Sequence, residues 1–400
     1  MSSYPAFYAI LKWFYAVFNV GFIVLIYFAL RGSGFLWPVR VGLCLFAVVL
    51  SLAFPVSQGL GENSIWIKEL SFVGYYWCAF IYHIFLAWIV LGVFRLINWR
   101  FRWLVIAEEN RVLWRRWSYA GIVAVALSVC VGGWINSQYP VVREAKLPVS
   151  PGIAPLRIVA LSDLHLGRMA SNDFLSNVVN LIEPLSPDIV VFLGDFLEWD
   201  FDPSRAPAAA AVLQRLKPRL GIWGAMGNHE FFGARGKRNR DLLNQIGIRT
   251  LDDQWVMIGE KPSEKILLIG RRDYSWGRKP IEKVIANVPE KDKDVLKILL
   301  DHQPVDLEGA KKAGVFLQLS GHSHNGQFFP INFLVPFLFE NAYGYYRRGQ
   351  THYWVTSGVG ALGPRIRTTG RPEIMLIDLV PQPAWEPALW QVHSQNPAPQ

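Results

Sequence analysis

Apolar residues follow two regimes along the chain, and the change falls near residue 150. Before it, the runs 7–30, 37–56, 72–94 and 119–135 are almost continuously apolar. A membrane-crossing helix needs about 20 such residues, with a range near 17 to 25, so each run predicts a span. After residue 155 short apolar runs alternate with amphipathic stretches. Those at 156–161, 188–193, 222–226, 266–269, 296–300, 315–319, 353–356 and 374–379 predict buried strands. Leu175, Val178, Val179 and Ile182 recur at i, i+3, i+4 and i+7, the stripe of a helix lying on a sheet. Further helices are expected within 205–216, 238–246 and 306–313. Strand–helix alternation implies a layered α/β domain. The expected organisation is a four-helix transmembrane region at 1–136, a linker at 137–154, the α/β domain at 155–380 and a disordered Pro- and Gln-rich tail at 381–400.

Composition agrees with a membrane part. The chain of 400 residues is 52% hydrophobic and 18% charged, against about 25% charged in ordinary soluble domains. The net charge of +9 would bring nucleic acid to mind, yet no long Lys/Arg run with interleaved aromatics occurs. Nucleic acid is not an expected partner; the lipid bilayer is. Arg95, Arg100, Arg102, Arg111, Arg115 and Arg116 crowd the third loop, and Arg31 and Arg40 flank the first. The second loop has only Lys68 beside Glu62 and Glu69. By the positive-inside rule the first and third loops are cytoplasmic. A multi-pass plasma (inner) membrane protein is expected, with everything after residue 136 on the extracytoplasmic face. Cys44, Cys78 and Cys130 all sit in apolar stretches, which leaves the polar half without a disulfide framework or thiolate metal site. His83, inside the third run, is expected to pack between helices.

Five short polar motifs follow apolar strands directly. They are Asp163-Leu164-His165, Gly194-Asp195, Gly227-Asn228-His229-Glu230, Asp301-His302, and Gly321-His322-Ser323-His324. In extended chain, residues i and i+2 point to one side, so Asp163 and His165, or His322 and His324, could grip one ion together. Open α/β sheets place ligands at the carboxyl ends of their strands. There the motifs gather three carboxylate or amide oxygens and four imidazoles. That is about twice what one ion needs. It argues for two ions sharing a carboxylate, an arrangement that clamps in-line displacement at phosphorus. Gly194, Gly227 and Gly321 would let a metal or phosphate approach the backbone.

The five motifs, in this order, resemble the calcineurin-like metallophosphoesterases. Ser357-Gly358-Val359-Gly360 and Arg371-Pro372-Glu373-Ile374 are similar to a bacterial branch of that family. The likeness covers residues 155–380 and leaves out the spans. It implies two facing mixed β-sheets flanked by helices, and two divalent metal ions (Mn, Fe or Zn). Asp163, His165, Asp195 and His324 would hold one ion; Asp195 as bridge, Asn228, His302 and His322 would hold the other. His229 would be the catalytic proton donor or charge stabiliser. The implied activity is hydrolysis of a phosphodiester, pyrophosphate or phosphomonoester, lipid-linked substrates included, by attack of a metal-bridging hydroxide. Two departures stand out: Asn325 where the branch usually has Gly, and Glu198 where an Asp is common. Both are expected to bear on substrate preference and not on metal binding.

Other hydrolase signatures fail. His229-Glu230-Phe231-Phe232 ends in Gly233, so the second histidine of a metalloprotease HExxH is missing. The alternative reading, a non-catalytic membrane sensor or scaffold with a metal-binding domain, would be marked by lost ligands, and every motif is intact. The stretch 328–346 is rich in Phe, Leu and Tyr and interrupted by Pro330 and Pro336. Two readings stay open for it: a buried core hairpin, or a loop that rests on the membrane and admits a lipid-linked phosphate.

Overall fold

In a computed structural model, residues 4–59 and 64–382 are described. Apart from Pro381 and Gln382, the tail expected to be disordered lies outside the described residues. The chain divides into two compact units, Met1–Gly132 and Gly133–Gln400.

The first unit holds α1 (Tyr4–Gly32), α2 (Trp37–Gly59), α3 (Ile65–Phe101) and most of α4 (Arg111–Gln138). All four helices are long and apolar enough to cross a membrane. With 37 residues, α3 extends about 55 Å, well beyond the ~30 Å hydrocarbon core. The apolar run at 72–94 is only its middle. Lys68, Glu69, Arg95 and Arg100 lower the hydropathy of the outer turns while remaining good helix formers. Phe22, Ile81, Ile84, Ile122 and Ala126 make a small core between helices. Gly74 lies so close to α2 that a Cβ would come within 2.5 Å of the Phe54 nitrogen, the small-residue contact typical of membrane helices. His83 is buried, and its Nδ1–H donates to the Ala79 carbonyl one turn back at 2.7 Å. Arg115 and Arg116 donate to the carbonyls of Gly32 and Ser33, both at 2.9 Å, which brings the first and third loops to one end of the bundle.

Among its described residues the second unit has twelve strands. In chain order they are β1 (Val141–Val149), β2 (Leu156–Leu161), β3 (Ile189–Phe192), β4 (Ile222–Ala225) and β5 (Arg249–Leu251), then β6 (Gln254–Ile258), β7 (Ile266–Gly270), β8 (Leu296–Leu300), β9 (Leu317–Ser320), β10 (Gly344–Arg348), β11 (Thr351–Val355) and β12 (Glu373–Pro381). They form two mixed six-stranded sheets, β1-β12-β2-β3-β4-β5 and β10-β11-β9-β8-β7-β6. Side chains from both sheets, among them Ile158, Val191, Leu268, Leu300, Trp354 and Ile377, share one core, so the sheets face each other. Outside the first sheet, α5 (Asn172–Ile182), α6 (Ala206–Leu213) and, beyond the one-turn α7 (Asn228–Phe231), α8 (Gly236–Ile246) close a second core. The short α9 (Ile281–Val284) and α10 (Leu307–Lys312) cover the other sheet. This is the two-sheet α/β architecture expected.

One expectation is corrected. The segment 137–154 is not a linker: nine of its residues are β1, paired in parallel with β12 from Val141↔Glu373 to Val149↔Pro381. Val141, Ala145, Leu147 and Val149 are buried while Lys146 faces solvent, so the short alternation is a strand's.

Candidate metal centre

The five motifs meet where β2, β3 and β4 of one sheet and β8 and β9 of the other end. Asp163, His165, Asp195, His229, His302 and His324 are buried there; Asn228 and His322 are half-buried. Two clusters result. His324 Nε2 lies 3.2 Å from His165 Nε2 and 3.4 Å from Asp163 Oδ1. His302 Nε2 lies 3.1 Å from Asp195 Oδ2, 3.2 Å from Asn228 Oδ1 and 3.2 Å from His322 Nδ1. Asp195 connects them, its Oδ2 being also 3.9 Å from His165 Nε2 and 3.9 Å from His229 Nε2. Its Oδ1 is engaged by the backbone N–H of His229 at 2.9 Å, which leaves Oδ2 to face the centre.

These groups fit divalent ions. Asp163 Oδ1 is buried without a hydrogen-bond partner, although a buried acceptor left unmatched costs about 1–3 kcal/mol. Ring nitrogens with converging lone pairs repel one another unless a proton or a cation lies among them. The imidazoles are also turned for ligation. Nδ1–H of His302 donates to the Leu193 carbonyl at 2.9 Å, and Nδ1–H of His165 to Glu198 at 2.9 Å. Each turns Nε2 towards its cluster, where an ion would take the place of any ring proton. Burial, with the positive His302 beside it, pushes His322 down to about 4; burial, against the pull of Asp163, pushes His324 down to about 3. Both rings are thus neutral donors. Burial alone would raise the Asp195 carboxyl, but His302 and His229 reverse this and hold it well below the usual carboxylate range.

The local backbone differs from the extended chain expected. Asp163, His165, Asp195, His322 and His324 all have positive φ, between 50° and 67°. The i, i+2 pairs converge through tight turns after the strands, not through strand alternation. Left-handed L-residues cost roughly 1–2 kcal/mol each, and such strain persists where surrounding contacts over-determine it. Asn325 is left-handed too, at φ 49°. That explains an Asn where the resembling branch has Gly, since Asn tolerates this region best after glycine. The glycine expectation also changes. A Cβ on Gly194, at φ 103°, would fall 2.6 Å from His302 Nδ1 and 2.6 Å from the Gly227 nitrogen. The room it provides is taken by the His302 ring and the backbone at Gly227.

The supporting roles of three residues escaped the sequence reading. Glu198 accepts from Nδ1 of both His229 (2.7 Å) and His165 (2.9 Å). Its departure from the usual Asp therefore bears on the metal centre itself, a correction to the expectation above. Burial would raise its carboxyl, but His229 and His165 hold it low. The same contact, with Asp195, lifts His229 to about 9 against the effect of burial. Glu230 accepts from the backbone N–H groups of Asp195 (3.0 Å), Leu197 (2.9 Å) and Gly227 (2.8 Å), so it pins two of the motif loops. Arg367 is fully buried and donates to the carbonyls of Gly360 (2.9 Å) and Ser357, with His324 Nδ1 3.3 Å away. Only the contacts reveal these roles, because each partner is distant in sequence or part of the backbone.

Fold and site together define a two-sheet α/β protein with a largely buried cluster of nitrogen and oxygen donors that could hold metal ions. The profile of the calcineurin-like phosphoesterase family matches residues 156–345. The chain is 33% identical over 271 residues to a transmembrane protein with metallophosphoesterase domain of Danio rerio, covering 63% of this chain and 60% of that one. To the protein of the same description in Bos taurus it is 30% identical over 309 residues, covering 72% and 68%. An uncharacterized metallophosphoesterase of Helicobacter pylori (strain J99) is 28% identical over 251 residues, covering 61% and 65%. The chain belongs to the calcineurin-like phosphoesterase family. It spans about 60% of the length of the Danio relative.

Proposed function

We propose that the protein is a membrane-anchored, dinuclear metal-dependent hydrolase of phosphoesters. One observation carries the reading most: Asp195 Oδ2 is within 3.9 Å of imidazoles from both ligand clusters. Asp163, His165, Asp195 and His324 would hold one divalent ion, and Asp195, Asn228, His302 and His322 the other. Nitrogen and oxygen donors without thiolate suit Mn, Fe or Zn. When bound, such ions supply Lewis acidity to phosphoryl oxygens and lower the pKa of coordinated water.

The protein's own groups complete the chemistry. Glu198 takes Nδ1–H of His229 and so turns Nε2 towards the centre. Protonated, as the raised pKa favours, His229 would place a proton and a positive charge beside the leaving oxygen. Phosphodiesters, pyrophosphates and monoesters all fall within this reading. The apolar side chains exposed at 329–338 support a lipid-linked form. The arginines of the third loop favour a plasma-membrane protein with the second unit outside the cytoplasm.

The test uses the full chain in detergent or nanodiscs with bis(p-nitrophenyl) phosphate. Hydrolysis should require a divalent ion, cease on chelation and return when Mn is added. Turnover that survives exhaustive chelation would contradict the reading.

A further inference from the structure

Among the described residues of the second unit, the exposed large apolar side chains are confined, Tyr274 apart, to three segments. Trp134, Ile135 and Tyr139 lie in or just past the last turn of α4; Phe329, Phe333, Leu334, Phe337 and Leu338 lie in the loop after the final metal motif; the last is Leu362. Exposure reaches 86% at Phe337 and 75% at Leu338. Between residues 331 and 338 that loop is not a hairpin strand: single helical turns at Ile331–Phe333 and Val335–Phe337 project the side chains outward, and only Val335 is buried there, whereas from Gly344 the chain enters the β10–β11 hairpin.

Hydrogen bonds join the three segments into one rim. The backbone N–H of Arg367 donates to the Gly133 carbonyl at 2.9 Å, and Asn136 Nδ2 donates to the carbonyls of Arg367 (3.0 Å) and Gly370 (2.8 Å). Thr368 N–H donates to the Gln327 carbonyl at 2.9 Å, and Phe329 N–H to Thr368 Oγ1 at 2.8 Å. Leu362 N–H donates to Gln327 Oε1 at 2.8 Å. The rim also reaches the metal centre, since the Phe339 ring stands edge-on to His322 at 5.9 Å between centroids.

We propose that this rim is seated in the lipid headgroup zone of the bilayer and presents phosphoesters anchored there to the metal centre. The occupant is named by continuity. One of the three segments begins within the last turns of a candidate membrane span, Glu108–Gln138, and continues to Tyr139 just past it, so the rim starts where the chain leaves the bilayer. Trp134 and Tyr139 mark that exit as interfacial aromatics do, and Arg371, which donates to the Tyr139 carbonyl at 2.9 Å, adds a cation suited to headgroup phosphates. Apolar patches of this extent on an otherwise polar surface mark sites of association. Only the delivery of substrate rests on the phosphoesterase reading; the membrane seat does not.

The experiment uses the full chain in phosphatidylcholine–phosphatidylglycerol nanodiscs. With Cys44, Cys78 and Cys130 changed to Ser, a bimane label at Leu338→Cys should be quenched strongly by lipids brominated in their acyl chains. A label at Glu290→Cys, before β8 and so at the opposite end of the sheet from the metals, should not. In parallel, Phe333→Ser/Leu334→Ser/Phe337→Ser should lower turnover of dodecyl p-nitrophenyl phosphate in the discs by about tenfold or more, given the apolar area removed. Turnover of soluble bis(p-nitrophenyl) phosphate should change less than about twofold, as expected for exposed positions. A Leu338 label no more quenched than the control, or equal loss on both diesters, would overturn the proposal. Strong quenching without hydrolysis of either diester by the parent protein would instead sink the phosphoesterase reading and substrate delivery with it.

Discussion

Glu198 accepts a hydrogen bond from Nδ1 of His229 at 2.7 Å, and its second oxygen accepts one from Nδ1 of His165 at 2.9 Å. One half-buried carboxylate therefore orients both a candidate ligand and the expected proton donor. In Glu198→Gln, one face of the side chain becomes an N–H₂ that cannot accept, so one of the two rings loses its partner. Such changes behind a ligating histidine cost roughly 10- to 100-fold in metal affinity or activity. We expect metal titration to show weaker binding and kcat to fall together. Unchanged affinity and rate would show that the two hydrogen bonds are incidental.

His229 is expected to be separable from the ligands, although it clusters with His165 and Asp195. His229→Ala should leave the metal content of the purified protein, measured by elemental analysis, close to that of the parent. The rate should drop by about 10²–10⁴, the usual contribution of a positioned acid. Loss of an ion in this variant would make His229 a ligand, which its distance of 3.9 Å from Asp195 Oδ2 leaves geometrically open.

Asp195 and Asp163 should differ in kind. Asp195 faces both clusters, whereas Asp163 faces one. Asp195→Asn is expected to weaken two ions and Asp163→Asn one, as read by equilibrium dialysis against Mn. Equal stoichiometries in the two variants would remove Asp195 from its bridging place.

The fold was legible to the extent that strands are buried on both faces. Central strands such as β2, β3 and β8 are runs of apolar residues, and hydropathy found them. The four strands it missed, β1, β5, β6 and β10, are the edge strands of the two sheets. Edge strands carry polar side chains and owe their place to a partner far along the chain; for β1 that partner begins at Glu373. The candidate metal ligands were legible because each motif is local. Glu198, Glu230 and Arg367 were not, since what they hold is scattered among loops and visible only after folding.

Topology is tested by fusion. A reporter that is active only outside the cytoplasm, joined after Gln138, should be active if the six arginines of the third loop act by the positive-inside rule. Activity of a cytoplasm-only reporter at the same point would place the metal centre in the cytoplasm.

The account depends most on two ions held as a pair. Metal-free full-length protein in nanodiscs would be titrated with Mn while bis(p-nitrophenyl) phosphate hydrolysis and the electron paramagnetic resonance spectrum are followed together. The predicted result is a rate that rises to its plateau only with the second equivalent, accompanied by the spectrum of an exchange-coupled Mn pair. Full activity at one equivalent, with the signal of an isolated ion throughout, would contradict it.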